Sequence, residues 1–360
     1  MRKTISDGSL DLRTKFIVII LFICFEIYHG NSFSAANQIR AGSAMIEEQC
    51  RKRNIENETS KPPPLIDDEL LEAFAGLEIQ STTHSGYKMN GSQRYRLSCR
   101  QNVLAKMPEE FATVKEARTP LGLIIKRQIH WRVENTPFYD ATMLPHFHEA
   151  AYPFDNNASY QERARRFLEY ASWERAYQPL LARARKTSDR RLWRVATTVK
   201  IFYLASYLAL FSAIWTYEDN YYNQTAVLAE IISLVKSLYE RETEDDDSGF
   251  SMDADVVMSL SLVAWRYRHR ALRQEAIRLL LASLLRGGLW DGMFTGRTAQ
   301  WVAEIEEEGL GLEEHVPHER STDVEVLDVD LSARTATLQA FLKDTNSPDG
   351  LVKENARIKC

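Results

Sequence analysis

Gly287 to Gly309 reads GGLWDGMFTGRTAQWVAEIEEEG, and no other stretch limits the fold as tightly. Two glycines close the apolar run that ends at Leu285, and Trp290 sits in the connection. An amphipathic helix follows, carrying Trp301 and an acidic end. This composition fits no catalytic, nucleotide-binding or metal motif. It describes one helix turning onto the next, so a chain containing it is built by packing helices.

Most of the remaining periodicity is helical as well. Phe16–Tyr28 and Ala35–Arg53 read as a helical hairpin turned at Gly30-Asn31-Ser32, and Pro62-Pro63-Pro64 then breaks the pattern. Asp67 or Asp68 caps a helix running to about Ile79, with acids in its first turn to suit the helix dipole. Residues 81–106 begin polar and rich in turn formers and read as a flexible loop. Met107–Val133 is mostly helical with a bend at Pro120, and Glu134–Asn157 is an irregular connection. In Tyr160–Lys186 the residues Tyr160, Ala164, Phe167, Leu168 and Ala171 recur at steps of three and four. Leu192–Tyr217 and Gln224–Tyr239 are further helices, followed by an acidic linker at 241–248. Phe250–Arg270 and Arg273–Leu285 form a second hairpin. Asp323–Leu338 sets Val324, Val326 and Val329 among polar residues, which predicts a short strand pair. The expected fold is all-α: packed helical hairpins over residues 16–341, a short β element near the C-terminus, and disordered ends at 1–15 and 342–360.

Candidate chemistry is thin. His146 and His148 in LPHFHEA, beside Glu149, have metal-ligand character but need a third ligand from His130, His269, His315 or His318, and no His-Glu-x-x-His pair exists. They read as loop residues. The carboxylates Glu306-Glu307-Glu308 and Asp245-Asp246-Asp247 read as solvated faces. No Gly-rich phosphate loop, nucleophile elbow or dinucleotide fingerprint occurs. The sequence therefore points away from an enzyme, and assigns no catalytic, cofactor-binding or metal residue and no cofactor. Cys24, Cys50, Cys99 and Cys360 are too scattered for a local zinc motif or a disulfide framework, which suits reduced thiols in the cytosol or nucleus.

A net charge of −5 argues against a chain that is basic throughout and holds nucleic acid electrostatically. Basic residues do cluster locally: Arg163, Arg165 and Arg166; Arg183, Arg185, Lys186, Arg190, Arg191 and Arg194; and Arg266, Arg268, Arg270 and Arg273. Each cluster is interleaved with Glu, Trp or Leu, which favours contact with a partner protein or simple solvation over phosphate binding.

The N-terminus has features of a secretory signal. Arg2, Lys3, Arg13 and Lys15 precede the apolar run 16–25, Ser34-Ala35-Ala36 passes as a cleavage site, and sequons stand at Asn57, Asn90, Asn157 and Asn223. Against this, Glu26 and His29 follow the run closely, and it is too short to span a bilayer. Ile201–Trp215 is also short for a spanning helix and reads as a core helix. The alternative function on this evidence is a secreted or membrane-associated non-enzymatic protein that uses residues 16–25 for targeting.

Several segments, taken in order, resemble the regulatory domain of fungal-specific transcription factors of the binuclear zinc-cluster type. They are IILFICFEIYHGNSFSAANQIRAGSAMI, DDELLEAFAGLEIQ, FLEYASWERAYQPLLARARK with the apolar helix after it, LLRGGLWDG, and WVAEIEEEG followed by VPHER. The resemblance spans roughly Phe16 to Leu338 and rests on the shared order of packing motifs. It implies a helical regulatory domain, nuclear localisation, and homo- or heterodimeric association with other regulators, with no membrane role. Control of a metabolic or secondary-metabolite gene cluster is the implied task. The family's six clustered cysteines have no counterpart here. The expectation is therefore an N-terminally truncated domain from which direct DNA binding is not anticipated.

Overall fold

Asp11 starts the first helix by accepting from the Thr14 backbone N–H at 3.0 Å, and a glycine turn ends it. Residues 11–56, 68–85, 107–135, 157–211, 224–240, 250–251, 255–282, 286–311, 315–317, 320, 322–330, 332–343 and 351–359 are described by a computed structural model. Among these the chain is mostly helical, with ten helices and a three-stranded antiparallel sheet near the C-terminus.

Helix α1 (Leu12–Tyr28) ends where Gly30, at φ 80°, lets its own N–H reach Ile27 O and the Asn31 N–H reach Glu26 O. The Asn31 side chain then accepts from Ser34 N and opens α2 (Ser32–Glu56), so two adjacent residues close one helix and start the next. Helix α3 (Asp68–Ser85) packs on α2. Gly42 lets the two helices approach at Phe74, since a Cβ at residue 42 would come within 2.3 Å of the ring carbon Cε1. Phe16, Ile19, Ile23 and Ile27, at helical spacing, bury against Phe74 and Leu77 in a first core.

The larger core is formed by α4 (Val114–Asn135), α5 (Asn157–Lys186), α6 (Arg190–Phe211), α7 (Thr225–Glu240), α8 (Asp255–Arg266), α9 (Arg270–Ala282) and α10 (Gly292–Glu307). Its centre is a column of rings on α5 and α6. Trp173 stacks on Tyr177 at 4.5 Å and on Tyr203 at 5.0 Å, and Tyr203 stacks on Tyr207 at 6.0 Å. The polar tips of the column are occupied. Trp173 donates to Ala117 O at 2.8 Å, Tyr177 donates to Ala196 O at 2.8 Å, and Tyr170 pairs with Gln128, which itself donates to Ser206 O at 3.1 Å. These bonds tie α4, α5 and α6 together at fixed height.

The C-terminal elements are short. Strand β1 (Phe250–Ser251) pairs in parallel with β2 (Arg286–Gly287), which pairs with β3 (Trp290–Asp291). Strands β4 (Asp323–Asp330), β5 (Thr335–Lys343) and β6 (Leu351–Lys359) form a meander. Val324, Leu338 and Ala340 on its inner face cover Val302 and Ile305 of α10.

Several sequence-based boundaries move. The disordered start expected at 1–15 overlaps α1, which begins at Leu12 because Asp11 caps it. The loop expected at 81–106 begins inside α3: Ser81 and Thr82 are buried, and Thr82 donates to Glu78 O at 2.7 Å. Phe250 and Ser251 are strand, not helix. The disordered tail expected at 342–360 contains β6, which pairs with β5 from Leu351 to Lys359. Helix α4 runs through Pro120. The acidic linker at 241–248 and the loop after residue 85 lie outside the described residues.

The column carries a pH signature. Burial raises the hydroxyls of Tyr170, Tyr177 and Tyr203 above the ordinary tyrosine value of 10.0. An acid whose folded pKa is raised contributes stability that is fully present below pH 10 and declines above it, because the unfolded chain releases these protons first. Tyrosinate absorbance on alkaline titration is thus expected to appear in two stages, an early gradual one from exposed tyrosines and a late cooperative one that coincides with loss of helical circular dichroism. Replacing Tyr177 and Tyr203 with Phe should shrink the late stage.

Candidate functional site

The Gly287–Gly309 segment is where the two halves of the molecule meet. Gly288 and Leu289 form a two-residue turn between β2 and β3, and Gly288 holds φ +53°, a position hairpin turns reserve for glycine. The side chain of Gln80 on α3 fills the space a Cβ would need, and its Oε1 accepts from Leu289 N at 3.1 Å. Leu289 then inserts into the first core, among the residues of the α1–α3 cluster. The two glycines stand in and after a strand, where the sequence suggested the end of a helix.

Two residues after Leu289, Asp291 caps α10 by accepting from Phe294 N at 2.9 Å, and α10 runs to three consecutive glutamates. Glu306 is only 4 % exposed. Its Oε2 accepts from Arg273 Nη1 at 2.7 Å, its Oε1 accepts from Thr322 N at 2.8 Å, and Arg268 stands at 3.8 Å. Glu307 accepts from Arg270 Nε at 3.1 Å. Arg273 is 1 % exposed and also donates to Ala264 O at 3.0 Å. The expectation of solvated faces fails here: the basic run at 268–273 and the acidic run at 306–307 are one buried ion cluster, and of the acidic trio only Glu308 is exposed. Each run reads as surface until its partner, more than thirty residues away, is brought to it.

The other basic runs divide. Arg166 is buried between Glu169, at 3.0 Å, and Glu162, while Arg127 on α4 reaches the other oxygen of Glu169 at 2.8 Å. Arg183 pairs with Glu110. Arg185, Lys186, Arg190 and Arg191 remain exposed at the α5–α6 corner.

Of the candidate histidines, His269 and His315 are brought together with rings 5.1 Å apart, and His269 Nδ1 accepts from Leu272 N at 3.4 Å at the start of α9. His146, His148 and His318 lie outside the described residues, as do Asp245, Asp246 and Asp247. Among the described residues no three His, Cys, Asp or Glu side chains converge to hold a metal ion. An open groove of about 410 Å³ between α10 and β6 is lined by Met293, Arg297, Ile358 and Lys359. Among the described residues no helix is long and apolar enough to cross a membrane.

The surface feature that sequence reading missed is on α1. Leu21, Phe25 and Tyr28 stand on its outer face at 62 %, 57 % and 62 % exposure, and Phe33 at the start of α2 is 76 % exposed. Leu21, Phe25 and Tyr28, at steps of four and three, share one face of α1. The signal was available: from Phe16 to Phe25 α1 is apolar around its whole circumference, and a helix of that kind is normally covered on every side. No protein-family model, curated protein or solved structure matches the chain.

Two variants test the cluster and the cradle. Arg273→Met strands the Glu306 carboxylate and is expected to cost about 3–5 kcal/mol in urea unfolding. Adding Glu306→Gln should return more than half, since the amide bears no charge and still accepts from Thr322. Gly288→Ala adds backbone strain and displaces Gln80, for a loss of about 2 kcal/mol.

Proposed function

We propose that the chain is a transcriptional regulator of the fungal zinc-cluster type, acting in the nucleus through association with protein partners, with a metabolic gene cluster as its target. One observation carries the proposal. Three of the segments that resemble this family, the first hairpin, the Asp68 helix and LLRGGLWDG, are far apart in sequence, yet Leu289 packs into the core made by Phe16, Ile23, Phe74 and Leu77. Motifs shared for packing reasons are expected to touch, and these do. The remaining chemistry supports a binding role: the buried charges are paired structurally, and the outstanding surface is an apolar patch, the usual mark of an interaction site.

The same core weighs against secretion. Cleavage after Ala36 would remove α1, and with it Phe16, Ile19, Ile23 and Ile27 from the cluster.

Expressed in a fungal host with a C-terminal fluorescent tag, the chain should concentrate in nuclei. Fused to a heterologous DNA-binding module, it should change reporter transcription several-fold. A glycosylated product in the medium, or a reporter that does not respond, would sink the proposal. Tight sequence-specific retention of duplex DNA by the purified chain would overturn the claim that it works through partners.

A further inference from the structure

The turn from α5 to α6 leaves one polar side chain unused. Thr187 Oγ1 accepts from Asp189 N at 3.1 Å, and Asp189 caps α6 by accepting from Leu192 N at 3.0 Å. Ser188 lies between them, exposed and outside both helices, and its hydroxyl has no partner among the described residues. The charge around it is lopsided. Arg183 pairs with Glu110, but Arg185, Lys186 and Arg191 are exposed and hold no carboxylate among the described residues. Arg185 and Lys186 suit the C-terminal end of α5. Arg191 does not suit the start of α6, which has no acid in its first turn, the reverse of what a helix dipole favours.

We propose that Ser188 is a phosphorylation site, read by a protein kinase whose substrate cleft is lined with carboxylates. Arg183 and Arg185 stand five and three positions before Ser188, and Lys186 stands two before it. Carboxylates in a cleft pair with guanidinium groups at fixed offsets from the acceptor hydroxyl, and charge patterns of this kind select kinase substrates. Such a spacing recurs in the chain, and the fold does the selecting. Among the described residues a Ser or Thr follows an Arg by three positions at Ser43, Ser188, Thr197 and Thr337. Ser43 and Thr197 are buried, at 5 % and 2 % exposure, and Thr337 lies in β5 with a strand paired on each side. Of the four, Ser188 alone is exposed in a turn.

Presenting it asks little of the fold. A kinase takes its substrate extended, and Thr187, Ser188 and Asp189 are already outside the helices. Reaching Arg185 opens only the end of α5, which Thr187 N closes on Arg183 O at 3.1 Å, and helix ends fray readily. Ala184, the last buried residue of α5, stays in the core. In the transfer, Ser188 Oγ attacks the γ-phosphorus of ATP carried by the kinase. An Oγ–P bond forms, the bond from that phosphorus to the β–γ bridging oxygen breaks, and ADP leaves with the electron pair. The hydroxyl proton passes to a base of the kinase. The phosphate, of about −1.5 to −2 charge, then stands just ahead of α6, where the dipole favours an anion. It also cancels part of the positive charge of the corner.

The inference goes beyond the regulator proposal, and its test involves neither transcription nor location. Purified full chain incubated with Mg²⁺, ATP and the catalytic subunit of cyclic-AMP-dependent protein kinase should gain a phosphoryl group on Ser188, located by peptide mapping. Ser188→Ala should gain none in that turn. Arg185→Gln should lower kcat/KM for transfer about tenfold or more, through loss of one charge-assisted pair. Both variants should keep the circular dichroism of the wild type. A Ser188 left unmodified, a phosphate on Thr187 in its place, or an Arg185→Gln rate equal to wild type each overturns the proposal. So does modification of Ser188 only after thermal unfolding, because the folded chain then does not present the turn. An unmodified Ser188 beside an active reporter counts against this proposal alone, and a phosphorylated Ser188 beside a silent reporter against the regulator proposal alone.

Discussion

A carboxylate kept almost entirely from water has to be paired and hydrogen-bonded, and Glu306 is placed where satisfying it organises the whole C-terminal half. One oxygen takes Arg273 and so fixes α10 against α9. The other takes the Thr322 amide and so fixes the chain just before the sheet begins. Arg273 in turn reaches Ala264 O, which brings in the end of α8. Breaking such a cluster costs far more than it contributes over an apolar replacement, because the loss leaves an unpaired buried charge. Its effect is specificity of arrangement. With Glu306 satisfied, α8, α9, α10 and β4 can adopt one mutual register, and the apolar faces of Val302 and Ile305 are then aimed at Val324 and Leu338.

Helices were legible wherever one face alone is buried. In α5, α7 and α9 the apolar residues recur at three and four, and the sequence placed these elements within a few residues of where they stand. The ion cluster was not legible, for a physical reason. Composition alone reads Arg268 to Arg273 and Glu306 to Glu308 as exposed, since lone charges almost never bury. Only the pairing removes the cost, and the pairing spans more than thirty residues. Gly288 was misread similarly. A double glycine after an apolar run suggests a helix end, but its conformation and the approach of Gln80, which bonds Leu289 from 209 positions away in sequence, belong to a β-turn.

The last strand shows the reverse failure, a polar segment taken for a loose end. LVKENARIK has little alternation of its own, and β6 becomes a strand because β5 presents a complete edge whose inner residues Ala336, Leu338 and Ala340 are already buried on α10. Pairing follows the edge rather than the propensity of the added strand. Its exposed side chains include Lys353, Glu354, Arg357 and Lys359, and β4 on the other side carries Glu325, Asp328 and Asp330. Charged edges of this kind discourage further strand addition.

Helix α1 explains why residues 16–25 supported two incompatible readings. A targeting segment is recognised by total apolarity over a short length, which ignores the phase of the side chains. Packing is recognised by phase, and a helix packed on two sides has apolar residues in two phases at once, so the periodic signal cancels and only the total remains. Separating the inner set, Phe16, Ile19, Ile23 and Ile27, from the outer set, Ile17, Leu21, Cys24 and Tyr28, needs the position of α3 and Phe74 to say which side is already filled. Once that side is assigned, what looked like undirected apolarity divides into two ordered seams. The excess apolarity of α1 is then the sum of a buried set and a part-exposed set, which total hydropathy alone does not separate.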